Sequence, residues 1–141
     1  MGVIRRDEIA YESRHNDNPD TLKMDYIHTE AHQMAYDLSV YLHNKVRDMP
    51  HYEKFTLQQE IRQTIDGIMD EIEAYEKSKT ISHLYTADRL KGRLVRKIRL
   101  AHDLKYSAFN KKVYKYCADE IGHLGASIGG LIKKAQAEKK K

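Results

Sequence analysis

A row of arginines on one predicted helix has the residue types and spacing best suited to binding an anion. Arg89, Arg93 and Arg96 are four and three residues apart, so an α-helix would place them on one face. Leu94 and Ile98 fall on nearly the opposite side of that helix, which would be buried. The guanidinium fork matches pairs of phosphate oxygens and tolerates partial desolvation. The row therefore predicts either a phosphate-binding surface or an ordinary solvated face.

The charges along the chain favour the phosphate-binding interpretation. Residues 1–78 carry 9 Lys and Arg against 16 Asp and Glu, whereas residues 79–141 carry 16 against 5. Such a division indicates a second half that faces a polyanion or an acidic partner, or two halves that pack on each other. We predict that RNA or DNA is bound through backbone phosphates by the arginine row, by a lysine at its edge and by two lysines near the C-terminus: Arg89, Arg93, Arg96, Lys97, Lys133 and Lys134.

Other chemistry has weaker support in the sequence. His28 and His32 are four residues apart, a spacing that can hold zinc, but no third ligand is evident. Cys117 lies in an apolar stripe and the few serines stand mostly at predicted helix ends, so no catalytic triad is indicated. We expect no metal, no cofactor and no enzymatic activity. Arg99 and Glu120 border the inward faces of two helices, and we predict a structural ion pair between them, within the chain or between subunits.

Apolar residues at helical spacing predict four helices and no strand. Because short loops join these helices, the expected fold is an all-α, up-down-up-down four-helix bundle. Gly67 in the second helix suggests a close helix crossing. The predicted boundaries are a first helix from Leu22 to just before Pro50, a second capped by Thr56 with Gln59 as a capping box, a third from Thr80 or Ser82 to near Tyr106, and a fourth capped by Ser107.

The remainder of the chain completes the expected organisation. Residues 1–21 lack a sustained period and predict a flexible arm, residues 22–137 the bundle, and residues 138–141 a basic tail. No apolar run reaches the length of a membrane span, and one cysteine in the whole chain fits a reducing compartment. We therefore expect a cytoplasmic protein that does not enter a membrane.

Several segments together resemble a known family. MAYDL, MPHYEKFTL, HLYTADRL, RKIRLAHDLK and ADEIGHLGASIGGLIKKA occur in this order over about residues 34–135. The set is similar to the accessory variability determinant proteins of diversity-generating retroelements. The chain departs from that pattern in GASIGGLIKK, which has no tryptophan, and at Val95, where the family tends to have an arginine.

The resemblance implies a fold and a function. Proteins of that family are small basic four-helix bundles that form a pentamer, bind nucleic acid and act with a reverse transcriptase in mutagenic retrohoming. The implied partners are therefore RNA or DNA, a reverse transcriptase and further copies of this chain. Two alternatives stay open: an oligomeric scaffold that docks an acidic protein, and a relative of the four-helix proteins encoded within bacterial ribosomal RNA genes.

Overall fold

The computed structural model describes residues 28–139, which form four long α-helices and, within that range, no strand. The predicted arm at 1–21 and the predicted helix start at Leu22 lie outside the described residues. Two single turns of 3-10 helix, His51–Glu53 and Ser107–Phe109, stand before the second and fourth helices. The helices are α1 (Glu30–Val46), α2 (Leu57–Ser78), α3 (Ser82–Asp103) and α4 (Lys111–Lys139).

The four helices surround one main apolar core, with a second, small cluster of Tyr75, Leu84 and Ala135, so the predicted all-α four-helix bundle is confirmed. Each helix packs against the next one along the chain, and α1 also packs against α4. The apolar residues that recur at helical spacing predicted one buried stripe in each helix, and those of α2 and α3 are all buried. They are Leu57, Ile61, Ile65, Ile68 and Ile72 in α2, and Leu84, Ala87, Leu94, Ile98 and Ala101 in α3. The same spacing placed Met34 in the stripe of α1 and Leu131 in that of α4, but both are only half-buried at the edge of the core.

The starts of two helices differ from the prediction. The capping box at Thr56 is wrong, because the Thr56 side chain makes no cap bond. Instead the Glu53 carboxylate accepts hydrogen bonds from the Thr56 hydroxyl and, at 3.2 Å, from the backbone N–H of Leu57. Ser107 likewise does not cap α4. It lies in a 3-10 turn, and Oδ1 of Asn110 accepts from the N–H of Val113 at 3.0 Å.

The helix crossing expected at Gly67 is present. A Cβ at Gly67 would lie 3.3 Å from Cδ1 of Leu90, so the absence of a side chain lets α3 approach α2 closely. Gly125 of α4 serves a similar purpose, because a Cβ there would meet the Lys91 side chain. The other three glycines of α4, by contrast, face open space as far as the described residues extend: Gly122, Gly129 and Gly130.

The fourth helix extends further than the sequence indicated. It continues through Glu138 and Lys139, which the prediction placed in a basic tail. Among residues 28–139, no helix combines the length and the apolar character needed to cross a lipid bilayer.

Candidate nucleic-acid interface

Two lysines mark the borders between α3 and its neighbours. Lys97 places its Nζ 2.9 Å from Oε1 of Glu60 on α2. On the other flank, the Lys91 side chain lies against Gly125 of α4 and pairs with Asp88 at 3.2 Å. The outward face of α3 lies between these two contacts.

The predicted arginine row occupies this outward face. Arg89, Arg93 and Arg96 are all exposed, while Leu94, between them in sequence, is fully buried. Within residues 28–139, none of the three guanidinium groups forms an ion pair with a carboxylate. Three exposed cations on one face of a helix are therefore unpaired within this part of the chain, and guanidinium groups of this kind suit phosphate oxygens.

Lys97 is placed differently from the three arginines. It lies at the edge of the row, as predicted, but its side chain is only 21% exposed and is held by Glu60. Because its charge is partly neutralised inside the protein, Lys97 has less to offer an external anion than Arg96 beside it.

The two C-terminal lysines are both exposed, but they do not share a face. The side chain of Gln136 in α4 donates to the Tyr85 hydroxyl in α3 at 3.0 Å, which fixes the register of these two helix ends. Arg89 is one turn beyond Tyr85 and Lys133 is one turn before Gln136, so both lie on the same side as this bond. Lys134 is turned about 100° from Lys133 around the helix axis, away from Gln136. The structure thus brings Lys133, but not Lys134, towards the arginine row.

The predicted ion pair between Arg99 and Glu120 is not formed within the chain. Arg99 instead lies 3.5 Å from Asp103, one turn further along α3, and its side chain is 68% exposed. Glu120 lies 3.5 Å from His123 on α4. Each charge therefore has a neighbour on its own helix. The physical reason is that Arg99 points towards solvent, well away from the inward side of α3.

The acidic side of the bundle has the opposite electrostatic character. Burial raises the pKa of Asp70 on α2, and the nearby carboxylates of Glu73, Asp66 and Glu71 raise it further. Asp70 and these three neighbours place several carboxylates close together on this part of α2. This surface would repel a polyanion, whereas the outward face of α3 would attract one.

A second cluster of functional groups was missed from the sequence. His28 and His32, which seemed to lack a third ligand, lie beside the buried carboxylate of Glu76 at the end of α2. One signal was available in the sequence: Glu76 is four residues after Ile72 and therefore continues the buried stripe of α2. A glutamate at such a position must find partners inside the protein.

Comparison of the chain with protein-family models, with curated proteins and with solved structures found no match.

Proposed function

We propose that this protein is a non-enzymatic, nucleic-acid-binding accessory subunit that partners a reverse transcriptase in a diversity-generating retroelement. The observation that carries the binding part of the proposal is the exposed arginine row, which has no counter-charge among residues 28–139. The reverse-transcriptase partner rests on the resemblance of the ordered segments over about residues 34–135. Such a subunit would act by holding an RNA or DNA backbone, with no bond made or broken by its own side chains.

The mode of binding follows from the residue types. Arginine forks contact phosphate oxygens, which every sequence presents, so we expect RNA and DNA to bind without strong sequence preference. Each phosphate contact releases condensed counterions, so affinity should fall steeply between about 50 and 200 mM salt. Lys133 extends the contact beyond Arg89, whereas Lys97 and Lys134 contribute less.

The decisive experiment reverses the charge of the row. Fluorescence anisotropy with a labelled single-stranded RNA compares the parent with a variant in which Arg89, Arg93 and Arg96 are all changed to Glu. We expect binding to be lost at low salt while the cooperative thermal transition is kept, because exposed substitutions usually shift stability by no more than about 0.5 kcal/mol each.

A matched control changes the same number of charges elsewhere. Lys54, Lys111 and Lys112 are exposed residues near the end of the bundle where α3 stops, and changing all three to Glu alters the net charge equally. If this control loses binding as completely as the arginine variant, only overall charge matters and the interface is wrongly placed. If the arginine variant binds as well as the parent, the row is a solvated face.

We further propose an up-down-up-down bundle that assembles into a homo-oligomer, a pentamer by resemblance. The supporting observation is the open surface at Gly122, Gly129 and Gly130, where no atom of residues 28–139 outside the adjoining backbone of α4 lies within 4 Å of a Cβ position. Another subunit could approach the backbone of α4 closely there. Light scattering coupled to size exclusion tests this at tens of micromolar protein, and a monomer would contradict it.

The alternative, a scaffold that docks an acidic protein, uses the same row of arginines. A competition experiment distinguishes the two functions. If RNA and the acidic protein both use Arg93, an excess of unlabelled RNA displaces the protein. If the row binds only protein, the RNA does not bind at all. Neighbouring genes offer the cheapest additional evidence, because a reverse transcriptase and a template–variable repeat pair beside this gene would support the retroelement.

A further inference from the structure

The end of the bundle where α1 begins and α2 finishes holds two histidines and two glutamates in direct contact. Nδ1 of His28 lies 2.8 Å from Oε1 of Glu76, and Nε2 of His32 lies 2.8 Å from Oε2 of Glu73. The two imidazole rings are stacked, with their centroids 3.7 Å apart and their planes 5° from parallel. Nitrogen and oxygen donors from two helices are therefore concentrated in one small volume.

Glu76 is the fixed element of this cluster. Its side chain is fully buried, and its carboxylate accepts hydrogen bonds at Oε2 from the backbone N–H and, at 2.7 Å, from the hydroxyl of Thr29. Thr29 is the N-cap of α1, so these bonds tie the carboxylate to the start of that helix. The second oxygen, Oε1, is left facing the ring of His28.

His32 carries an unsatisfied group in the same place. The residue is 8% exposed, and its Nδ1 is buried with no hydrogen-bond partner. Such an orphaned group normally costs stability. When Nε2 of His32 carries the ring proton and donates a hydrogen bond to Glu73, Nδ1 has a free lone pair. A histidine whose other nitrogen is bound by a carboxylate is the usual arrangement of a metal-ligating imidazole.

We propose that His28, His32 and Glu76 form a binding site for a divalent transition-metal ion, with zinc as the best fit. One ring nitrogen of each histidine and one oxygen of Glu76 lie within 4.8 Å of one another. Two imidazoles and one carboxylate are a donor set that zinc accepts, with water or a further ligand in the fourth position. Calcium and magnesium, which prefer oxygen ligands, fit this set poorly.

Metal binding requires a local change at the histidines. In parallel stacked rings the in-plane lone pairs point side by side, so the rings must tilt apart for both nitrogens to reach one ion. The His28–Glu76 hydrogen bond would be exchanged for metal bonds at the same time. A dication bound here would satisfy Glu76 and the orphaned nitrogen of His32 together.

Glu73 acts as a positioning residue in this proposal. Its carboxylate, 40% exposed, orients the His32 ring without joining the three ligands. The nearby acidic residues of α2 also attract a cation to this end of the bundle. A bound ion would pin the start of α1 to the last turns of α2.

The test uses untagged full-length protein freed of metal with EDTA and titrated with zinc by calorimetry, and with cobalt by visible absorption. We expect one ion per chain and tetrahedral-type cobalt bands. His28→Gln and His32→Gln should each weaken zinc binding by at least about tenfold, and Glu73→Gln by about tenfold through the positioning of His32. Zinc should also raise the melting temperature of the parent, because the folded state alone presents the assembled site.

His83→Gln is the matched control. His83 also contacts a glutamate, with its Nδ1 2.9 Å from Oε1 of Glu71, but it lies outside the three-ligand cluster. We expect this variant to bind zinc as tightly as the parent. Glu76→Gln is kept out of the decisive comparison because loss of the buried carboxylate could unfold the protein, and circular dichroism verifies that both ligand variants are folded.

Three results would overturn the site. These are a parent protein that binds well below one zinc ion per chain, His28 and His32 variants that bind as tightly as the parent, or a His83 variant that loses as much affinity as they do. In any of these cases the cluster is only a buried cap for α1, with Glu76 holding Thr29 and His28 in place.

Discussion

The acidic side chains of α2 and the arginines of α3 differ in the contacts that they make. Towards the end of α2, carboxylates are met by histidines from other parts of the chain: Glu76 by His28, Glu73 by His32 and Glu71 by His83. On the outward face of α3 the arginines meet no counter-charge within the described part of the chain. The carboxylates on the acidic side therefore contact other residues of the bundle, whereas the arginines on the basic side are exposed and unpaired within the described residues.

The difference bears on how the two oppositely charged halves of the sequence relate. One interpretation of their opposite charge was that they neutralise each other by packing, and Lys97 with Glu60 is such a contact between α3 and α2. The arginine row does not follow that pattern. Charges that are buried and paired hold structure together, whereas exposed unpaired charges add little to stability and remain available for a partner.

The largest expected change in the free energy of unfolding comes from a substitution on the buried side of α3. Leu94 is fully buried, so Leu94→Ala should lower the free energy of unfolding by about 2–5 kcal/mol through loss of packing and a cavity. Its sequence neighbour Arg93 is exposed, and Arg93→Ala should change stability by no more than about 0.5 kcal/mol. Urea denaturation measures both. Equal losses from the two variants would mean that the arginine face is also packed, for example against another subunit.

An intermediate effect is expected at the acidic end. Glu76→Gln keeps the size of the side chain but removes the charge that accepts bonds from Thr29 and pairs with His28. We expect a loss of about 1–3 kcal/mol, the usual value for hydrogen bonds to a buried charged group. Thermal melts in EDTA exclude any contribution from metal.

Glu71→Gln provides the comparison for that measurement. Glu71 also contacts a histidine, but its side chain is 29% exposed, so water can replace the lost partner. We expect a change below about 1 kcal/mol. A Glu76 variant as stable as the Glu71 variant would show that the buried cluster does not contribute to holding α1 against α2.

A smaller change in stability, which depends on pH, is expected at Glu53, where the turn before α2 meets the turn before α4. The hydroxyl groups of Thr56 and Tyr106 donate to Glu53, and these bonds lower the pKa of its carboxyl below the ordinary value of 4.5. A lowered pKa in the folded state adds stability above the unfolded pKa, and this contribution is lost as the pH falls through the folded value.

The difference in unfolding free energy between the parent and Glu53→Gln should therefore be constant near neutral pH and shrink on acidification below pH 4.5. Denaturant titrations across this range measure it. Tyr106→Phe removes one of the donors and should reduce the pH-dependent part without abolishing it. A difference that stays the same at every pH would show that Glu53 is not held in its charged form by these bonds.

The parts of the fold that were predictable are those governed by local periodicity. The apolar stripes of α2 and α3 repeat at three and four residues with few interruptions, so their buried residues could be identified directly. Helix ends were harder, since Ser107 and Asn110 are both good capping residues and the sequence does not say which of them the chain uses.

The candidate sites divide in the same way. The arginine row could be found because its three members lie on one helix and exposure follows from the opposite apolar face. The contact of His28 with Glu76 spans 48 residues, and no local pattern shows which helix end will lie opposite which. For the same reason the sequence did not predict that Lys97 pairs with Glu60. This contact with α2 makes Lys97 less available to an external anion than the three arginines.

The smallest effect concerns two adjacent residues and is the finest test of what pairing does. Arg96 and Lys97 have the same charge and neighbouring positions, but Arg96 faces solvent while Lys97 is held 2.9 Å from Glu60. If Arg96 contacts a phosphate, Arg96→Ala should reduce the slope of log affinity against log salt by about 0.7 to 0.9, the value of one lost contact. Lys97→Ala should change the slope much less, because the charge it removes was already balanced within the protein. That variant frees Glu60, however, and the uncovered carboxylate should weaken binding slightly at every salt concentration.

Anisotropy titrations at several salt concentrations separate a change in slope from a uniform loss. Equal slope changes for both variants would show that nucleic acid draws Lys97 away from Glu60, and that the internal pair does not decide which cations serve the interface.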